Sequence, residues 1–142
     1  MADVGIIESS AVGLVRFRRA IGAERVQVWA DVKKKHSSHA LAADVGIGET
    51  AHAVEFMRGD TVIIIGTVTG DAPQRSDLNE VKRKTRLLVY LCSGVTEMNL
   101  AEYGAADGFI VGSHFKQAGH WSRAVDAKRV EEFRMMRMRL AS

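Results

Sequence analysis

The chain has 142 residues, of which 46% are hydrophobic and 26% are charged, as expected for a globular domain with its own core. The formal net charge is only +3, and no basic run is interleaved with aromatic residues, so the composition argues against a nucleic-acid partner. The single cysteine, Cys92, excludes a disulfide framework and fits a reducing compartment.

The sequence shows no targeting or membrane-spanning segment. Its apolar stretches are too short to cross a bilayer, and its N-terminus lacks the basic and apolar regions of a secretory signal. We therefore expect a cytoplasmic protein, and an organellar location stays open. The last predicted helix carries Arg134, Arg137 and Arg139 beside Met and Phe, which is the only hint of peripheral membrane contact.

The first half of the chain alternates between strand-like and helix-like segments. We predict the end of a strand at residues 4–8, a helix at 10–20 and a strand at 26–32. A polar loop at 33–39 and a short helix at 49–58 follow. Ser9 or Ser10 is expected to cap the first helix, and Gly22 is expected to end it.

The second half continues the alternation. The clearest strand signal is 61–66, because three isoleucines after a valine suit a strand that is buried on both faces. Asp77 is expected to cap the next helix, with Glu80 completing a capping box. The next strand is predicted at 87–92, and a helix capped by Thr96 at 97–103. A further strand at 109–111 and a last helix from Asp126 onward follow.

Each of the four predicted strands runs into a cluster of polar residues. Strands of a parallel sheet are buried on both faces, and ligands of such folds bind beyond the carboxyl ends of the strands. Four βα units after a strand stub and a helix are too few for a (β/α)8 barrel, which typically needs about 250 residues. The pattern therefore predicts an α/β fold that is either an open doubly wound sheet or the C-terminal half of a barrel.

A set of short motifs occurs along these predicted strands and loops. They are Ile6-Ile-Glu8, Ala30-Asp31-Val32, Lys35-His36-Ser37-Ser38, Gly66-Thr-Val-Thr-Gly70, Ser93-Gly-Val-Thr96 with Asn99, Ala106-Asp-Gly-Phe-Ile-Val-Gly-Ser113 with Phe115-Lys116, and Val125-Asp126. In these motifs the sequence resembles the BtpA family. The resemblance covers nearly all of the chain but only the second half of the family's usual length.

The resemblance implies parallel βα units that form the C-terminal half of a TIM (β/α)8 barrel, with residues 1–142 as one half-barrel domain. The family takes its name from photosystem I biogenesis in cyanobacteria, where the protein is membrane-associated, and some members carry nucleosidase or sugar-metabolism labels. The resemblance thus implies a hydrolase or transferase acting on a sugar- or nucleoside-like substrate. The alternative is a non-enzymatic assembly factor for a membrane complex. Cys92 departs from the family, which commonly has glycine there, and makes that loop bulkier.

The loops after the third and fourth full strands have the composition of a phosphate cradle. In barrels, the loops after the last two strands often bind phosphate through backbone N–H groups. Gly94 and Gly112 would let an anion approach the backbone, while Ser93, Thr96 and Ser113 would add hydroxyl groups. The alternative is that the two glycines only form tight turns and that Thr96 only caps a helix.

A second candidate site follows the first full strand. Asp31 is placed to orient His36 as a general base, and Lys35 to hold an anionic substrate. Thr67, after the second strand, is a candidate for a hydrogen bond to the ligand. The alternative is a solvated basic loop and a threonine that stabilises a turn.

Metal binding and cofactors are not indicated. His36 with His39, and His114 with His120, lack the third converging ligand that a zinc site needs. We predict an anionic small molecule as the ligand and no cofactor.

Half a barrel would leave two strand edges and one sheet face open, which invites pairing. We therefore expect a homo-oligomer, or association with a missing N-terminal half. The side chains predicted to face the open side are Val28, Ala30, Ile63, Ile65, Val89, Leu91 and Ile110.

Overall fold

The computed structural model describes residues 10–32, 43–66 and 71–141. Within these ranges, four strands alternate with helical segments. The strands are β1 (Trp29–Val32), β2 (Thr61–Ile65), β3 (Leu88–Cys92) and β4 (Gly108–Ile110). The α-helices are α1 (Ala11–Ala20), α2 (Ile47–Phe56), α3 (Arg75–Lys84) and α4 (Ala127–Ala141). Short 3-10 turns span Leu100–Tyr103, Ser113–Phe115 and Gln117–Gly119.

The strands form one parallel sheet in the order β1-β2-β3-β4. The spatial order equals the chain order, and helices from α2 onward pack on the same side of the sheet, as the shared core shows. A doubly wound sheet would reverse its order and carry helices on both faces. The prediction of an α/β fold made of half a barrel is therefore confirmed.

The side of the sheet that faces the helices contains the core. Val62, Ile64, Val89 and Leu91 are fully buried there and pack with side chains of α2 and α3. The prediction that Ala30, Val89 and Leu91 face the open side was wrong. Because side chains alternate along a strand, the observed register puts all three residues on the helix side.

The opposite face of the sheet is only partly covered. Trp29 is 41% exposed, Leu88 is 48% exposed and Ile110 is 38% exposed. Tyr90 packs its ring against that of Trp29, with the centroids 4.7 Å apart. In a closed barrel this face would line the interior.

The first strand is shorter than predicted, because it begins at Trp29 and not at Val26. Before it, the Val26 N–H donates to the carbonyl of Ala23 in a turn, and Val28 bonds to Asp60. These contacts take the residues before Trp29 out of the ladder between β1 and β2.

Two aspartates hold the N-terminal ends of the strands in the same way. Asp60 donates its N–H to the Val28 carbonyl and accepts the Val28 N–H on its carboxylate, at 2.8 and 2.7 Å. Asp107 repeats this double contact with Val89, at 2.9 and 2.7 Å. In barrels this end of the sheet serves stability, whereas the opposite end carries the chemistry.

These contacts change the acidity of both aspartates. The Val28 N–H, followed by the Arg18 guanidinium, holds the pKa of Asp60 below its usual range against the opposing effect of burial. Burial acts to raise the pKa of Asp107, but the Lys82 ammonium and the Val89 N–H outweigh it and keep that pKa low.

The helix ends agree only partly with the sequence signals. Ser10 is the N-cap residue of α1, but its side chain makes no capping hydrogen bond with the described residues. Gly22 adopts a φ of 67° just beyond the end of the helix, as predicted. The predicted cap at Asp77 was wrong, because α3 already begins at Arg75. Glu80 does not complete a capping box; its carboxylate accepts the N–H of Gly48 at 2.8 Å and so joins α3 to the start of α2.

Candidate anion-binding site

A cavity of about 460 Å³ opens at the carboxyl ends of β3 and β4. This volume lies within the range of sites for small molecules. The cavity wall comes from the segments that follow the two strands and from the start of α4. The lining residues are Cys92, Ser93, Gly94, Val95, Thr96, Ile110, Val111, Gly112, Ser113, His114, Gly119 and Arg129.

The structure brings together the residues that the sequence assigned to a phosphate cradle. Ser93, Gly94, Thr96, Gly112 and Ser113 all line this one cavity, although they come from two separate loops. They meet because neighbouring parallel strands place their carboxyl ends side by side. Their contact with a ligand stays a prediction.

The turn after β3 has two consecutive residues in the left-handed region. Ser93 has a φ of 78° and Gly94 a φ of 63°. A Cβ atom at position 94 would also collide with the backbone of Asp71 and Ala72. Glycine is therefore required here for the packing of two loops, whether or not an anion approaches it.

The side chain of Asn99 hydrogen-bonds the backbone of the same turn. Its Oδ1 accepts the N–H of Thr96 at 2.8 Å, and its Nδ2 donates to the carbonyl of Gly94 at 2.9 Å. The helix predicted over 97–103 is reduced to the 3-10 turn at Leu100–Tyr103, with Asn99 and not Thr96 at its N-cap. The backbone N–H of Thr96 is thus engaged, and its hydroxyl lies 3.5 Å from the same Asn99 oxygen, to which it donates.

Gly112 occupies a different environment. A Cβ atom built at this position would have no atom within 4 Å, and the φ of −111° lies outside the left-handed region. A side chain at position 112 would therefore meet open space at a residue that lines the cavity.

Arg129 brings a permanent positive charge to the cavity wall. Its Nη1 donates to the carbonyls of His114 and Lys116, at 3.2 and 3.3 Å. These bonds fix the guanidinium between α4 and the loop after β4. The sequence analysis missed Arg129, because the fold of α4 back over this loop leaves no local signal.

His114 and Glu97 form an ion pair between the two loops. The Nε2 of His114 lies 2.5 Å from Oε2 of Glu97, and only 13% of the His114 side chain is exposed. The sequence analysis considered His114 only as a weak metal ligand. Its pairing with Glu97 depends on the adjacency of β3 and β4, which a search for local motifs does not test.

The second candidate site is not brought to this cavity. Asp31 is exposed on β1, level with Ile63 on the next strand, and it does not line the cavity. Lys35, His36 and Thr67 lie outside the described residues. The proton-transfer pair of Asp31 and His36 therefore stays a prediction.

The described residues contain no group of three His, Cys, Asp or Glu side chains arranged to hold a metal ion. None of the helices in this part of the chain combines the length and the apolar character that crossing a membrane requires.

Known proteins match the chain almost from end to end. The family model described as BtpA family matches residues 1–139. An uncharacterized mitochondrial protein of Caenorhabditis elegans is 38% identical over 94% of this chain and 48% of its own length. The photosystem I biogenesis protein BtpA of Synechocystis is 32% identical over 92% of this chain and 46% of its own length.

Archaeal proteins match in the same way. An uncharacterized protein of Pyrococcus abyssi is 34% identical over 89% of this chain and 48% of its own length. The chain thus spans about half the length of the curated relatives it matches, in agreement with the half-barrel sheet.

Proposed function

The chain belongs to the BtpA family, and from this premise we propose that the cavity beyond β3 and β4 binds the phosphate group of a sugar- or nucleoside-like small molecule. The observation that carries the proposal is the convergence of two glycine- and hydroxyl-containing loops and Arg129 on one cavity. Loops after the last two strands of barrels are frequent phosphate sites.

The chemistry of the wall suits an anion. Guanidinium groups recognise phosphate with charge-assisted hydrogen bonds, which are about twice as strong as neutral ones. Ser113 and Thr96 line the same cavity, and a hydroxyl group can donate to a phosphate oxygen. The Thr96 hydroxyl would exchange its 3.5 Å contact with Asn99 for one with the ligand. Because Gly112 carries no side chain, the cavity keeps room for the rest of the ligand.

If the bound molecule is also converted, the reaction class implied by the family resemblance is hydrolysis or transfer. Asp31 and His36 would then carry the proton transfers. Asp31 lies on the strand face that also leads to Cys92 at the cavity. This part of the proposal depends on a ligand long enough to extend from the cavity across β2 to β1.

A second candidate function is assembly of a membrane protein complex without catalysis. It is favoured by the similarity to the Synechocystis photosystem I biogenesis protein. Exposed apolar side chains on and next to α1 also favour it, namely Val12, Phe17 and Ile21. An assembly factor of this kind requires no anion in the cavity, so a ligand-binding experiment separates the two functions.

The test is a thermal unfolding series with phosphate and with chloride at equal ionic strength. A ligand that binds only the folded state at about 100 times its Kd adds about 2.7 kcal/mol to the free energy of unfolding, which raises Tm by several degrees. We expect phosphate to raise Tm above the chloride value, and Gly112→Val to remove that increase.

The matched control is Gly104→Val. Gly104 also has open space around its Cβ position, but it lies outside the cavity. This variant should keep the full phosphate effect. If phosphate and chloride give the same Tm in the wild-type protein, the cavity does not bind phosphate and the proposal fails.

A further inference from the structure

We propose that His114 makes this anion site dependent on protons, with Glu97 as the residue that positions it. The inference rests on the proposed function, because it concerns the same cavity. It states that a divalent anion binds more tightly when His114 is protonated, and that binding is accompanied by proton uptake.

The geometry places His114 where its charge matters. It lines the cavity, and its Nε2 contacts the carboxylate of Glu97. Glu97 does not line this cavity but shares a groove with residues of α4. The Phe115 and Phe133 rings lie 6.0 and 6.2 Å from the imidazole ring and confine it. Oε2 of Glu97 is buried and has no hydrogen-bond partner among the described residues besides this ion pair. The imidazole is thus held in one place at the boundary between the cavity and the carboxylate.

The sign of the effect follows from the charges of the pair. With His114 protonated and Glu97 ionised, the pair is neutral and the Arg129 charge is left to attract an anion. When His114 loses its proton, the Glu97 carboxylate is uncompensated and repels the anion. Histidine is the side chain whose charge ordinarily changes between pH 5 and 8. Anion affinity should therefore fall as the pH rises through this range.

Other charged and titratable groups surround the pair. Arg129 of α4 contacts the His114 carbonyl, Lys116 follows in the same loop, and Cys92 of β3 lines the cavity. Glu97 also lines a groove along α4, together with Glu131, Glu132 and Arg139. Of all these groups, His114 is the one that both lines the cavity and contacts the Glu97 carboxylate.

The probe for the test is sulfate, because its charge does not change between pH 5.5 and 8.5. Titration calorimetry at constant ionic strength gives its affinity across this range. We expect the affinity to fall at least about fivefold from the lowest to the highest pH, the lower end of typical coupling between two sites. Repeating the titration near pH 7 in two buffers with different ionisation enthalpies should show uptake of protons on binding.

Three variants assign the effect. His114→Gln should bind sulfate with an affinity that hardly depends on pH. His120→Gln is the matched control, because His120 is exposed, stacks on Trp121 and hydrogen-bonds Ser122 outside the cavity. It should keep the wild-type profile. Glu97→Gln should move the fall in affinity to lower pH, because the carboxylate no longer favours the imidazolium.

The outcomes separate the two proposals. If wild-type protein binds no sulfate at any pH, the proposed function fails. If it binds sulfate with an affinity independent of pH and without proton uptake, the role of His114 is overturned and the anion site stands. An unchanged profile in His114→Gln overturns that role as well. An unchanged midpoint in Glu97→Gln overturns the positioning role of Glu97.

Discussion

Glu55 is a carboxyl group whose pKa lies far below its usual range. It lies near the end of α2 and accepts hydrogen bonds from the Thr85 hydroxyl at 2.7 Å and from the N–H of Arg86 at 3.0 Å. The bond from Thr85, then that from the Arg86 backbone, lower the pKa of Glu55 from 4.5 to about 2. The carboxylate thereby joins α2 to the residues that precede β3.

This contact predicts a dependence of stability on pH. Because the folded-state pKa of Glu55 is depressed, its contribution to the free energy of unfolding is present above about pH 4.5 and is lost as the pH falls toward 2. Asp60 and Asp107 act in the same direction. We expect Tm to fall between pH 5 and pH 3, and to fall less in Glu55→Gln than in the wild-type protein.

Glu24→Gln serves as the control for this measurement, because Glu24 is exposed in the segment between α1 and β1. Its Tm should decline with acid as that of the wild type does. An equal decline in all three proteins would show that the contacts of Glu55 do not contribute to acid sensitivity.

The start of α4 couples a helix cap to the cavity. Oδ1 of Asp126 accepts the N–H of Lys128 at 3.0 Å, and the N–H of Arg129 lies 3.5 Å from the same oxygen. The predicted start of the last helix at Asp126 is therefore confirmed. Since Arg129 stands in the first turn that this cap fixes, the same carboxylate orders the helix and the cation on the cavity wall.

Replacement of Asp126 should weaken both the helix α4 and the placement of Arg129 at the cavity. We expect Asp126→Ala to lower the free energy of unfolding by about 1 kcal/mol, measured by urea denaturation. If the cavity binds phosphate, its affinity should fall as well. Asp126→Ser, which keeps a capping oxygen, should recover most of the loss. Equal stability of Asp126→Ala and wild type would mean that the cap does not support the helix.

Elements with a strong composition signal could be predicted, whereas those fixed by distant contacts could not. The run from Thr61 to Ile65 forms β2 almost as predicted, because β-branched residues suit a buried strand. The predicted helix after Thr96 is mostly absent, because Asn99 binds the backbone of the preceding turn. The same limit applies to the candidate site. Its loops follow from the strand ends, but Arg129 and the His114–Glu97 pair require the fold.

The molecule as a whole has a sheet with two unlike faces. Val62 and Val89 are fully buried under the helices, whereas Trp29 and Leu88 are more than 40% exposed on the other side. Within the described residues, β1 and β4 are edge strands. Parallel sheets are normally covered on both faces, so this face favours association with another chain.

We expect purified protein to associate as its concentration rises, as measured by light scattering. Leu88→Lys should reduce the association, because it places a charge on the exposed face at the start of β3. Met98→Lys is the control, since Met98 is 89% exposed and lies away from the sheet. A monomer at every concentration, with a sharp thermal transition, would contradict this expectation.

Gly66 and Gly94 both pack against the backbone of Asp71, since a Cβ atom at either position would collide with it. Barrel proteins diversify largely by varying the loops at the carboxyl ends of the strands. Here the loops after β2 and β3 are interlocked, so a graft into one of them demands a matching change in the other. The segment at Gly112 has no such partner within 4 Å of its Cβ position. New ligand preferences should therefore be easiest to evolve or to engineer in the loop after β4.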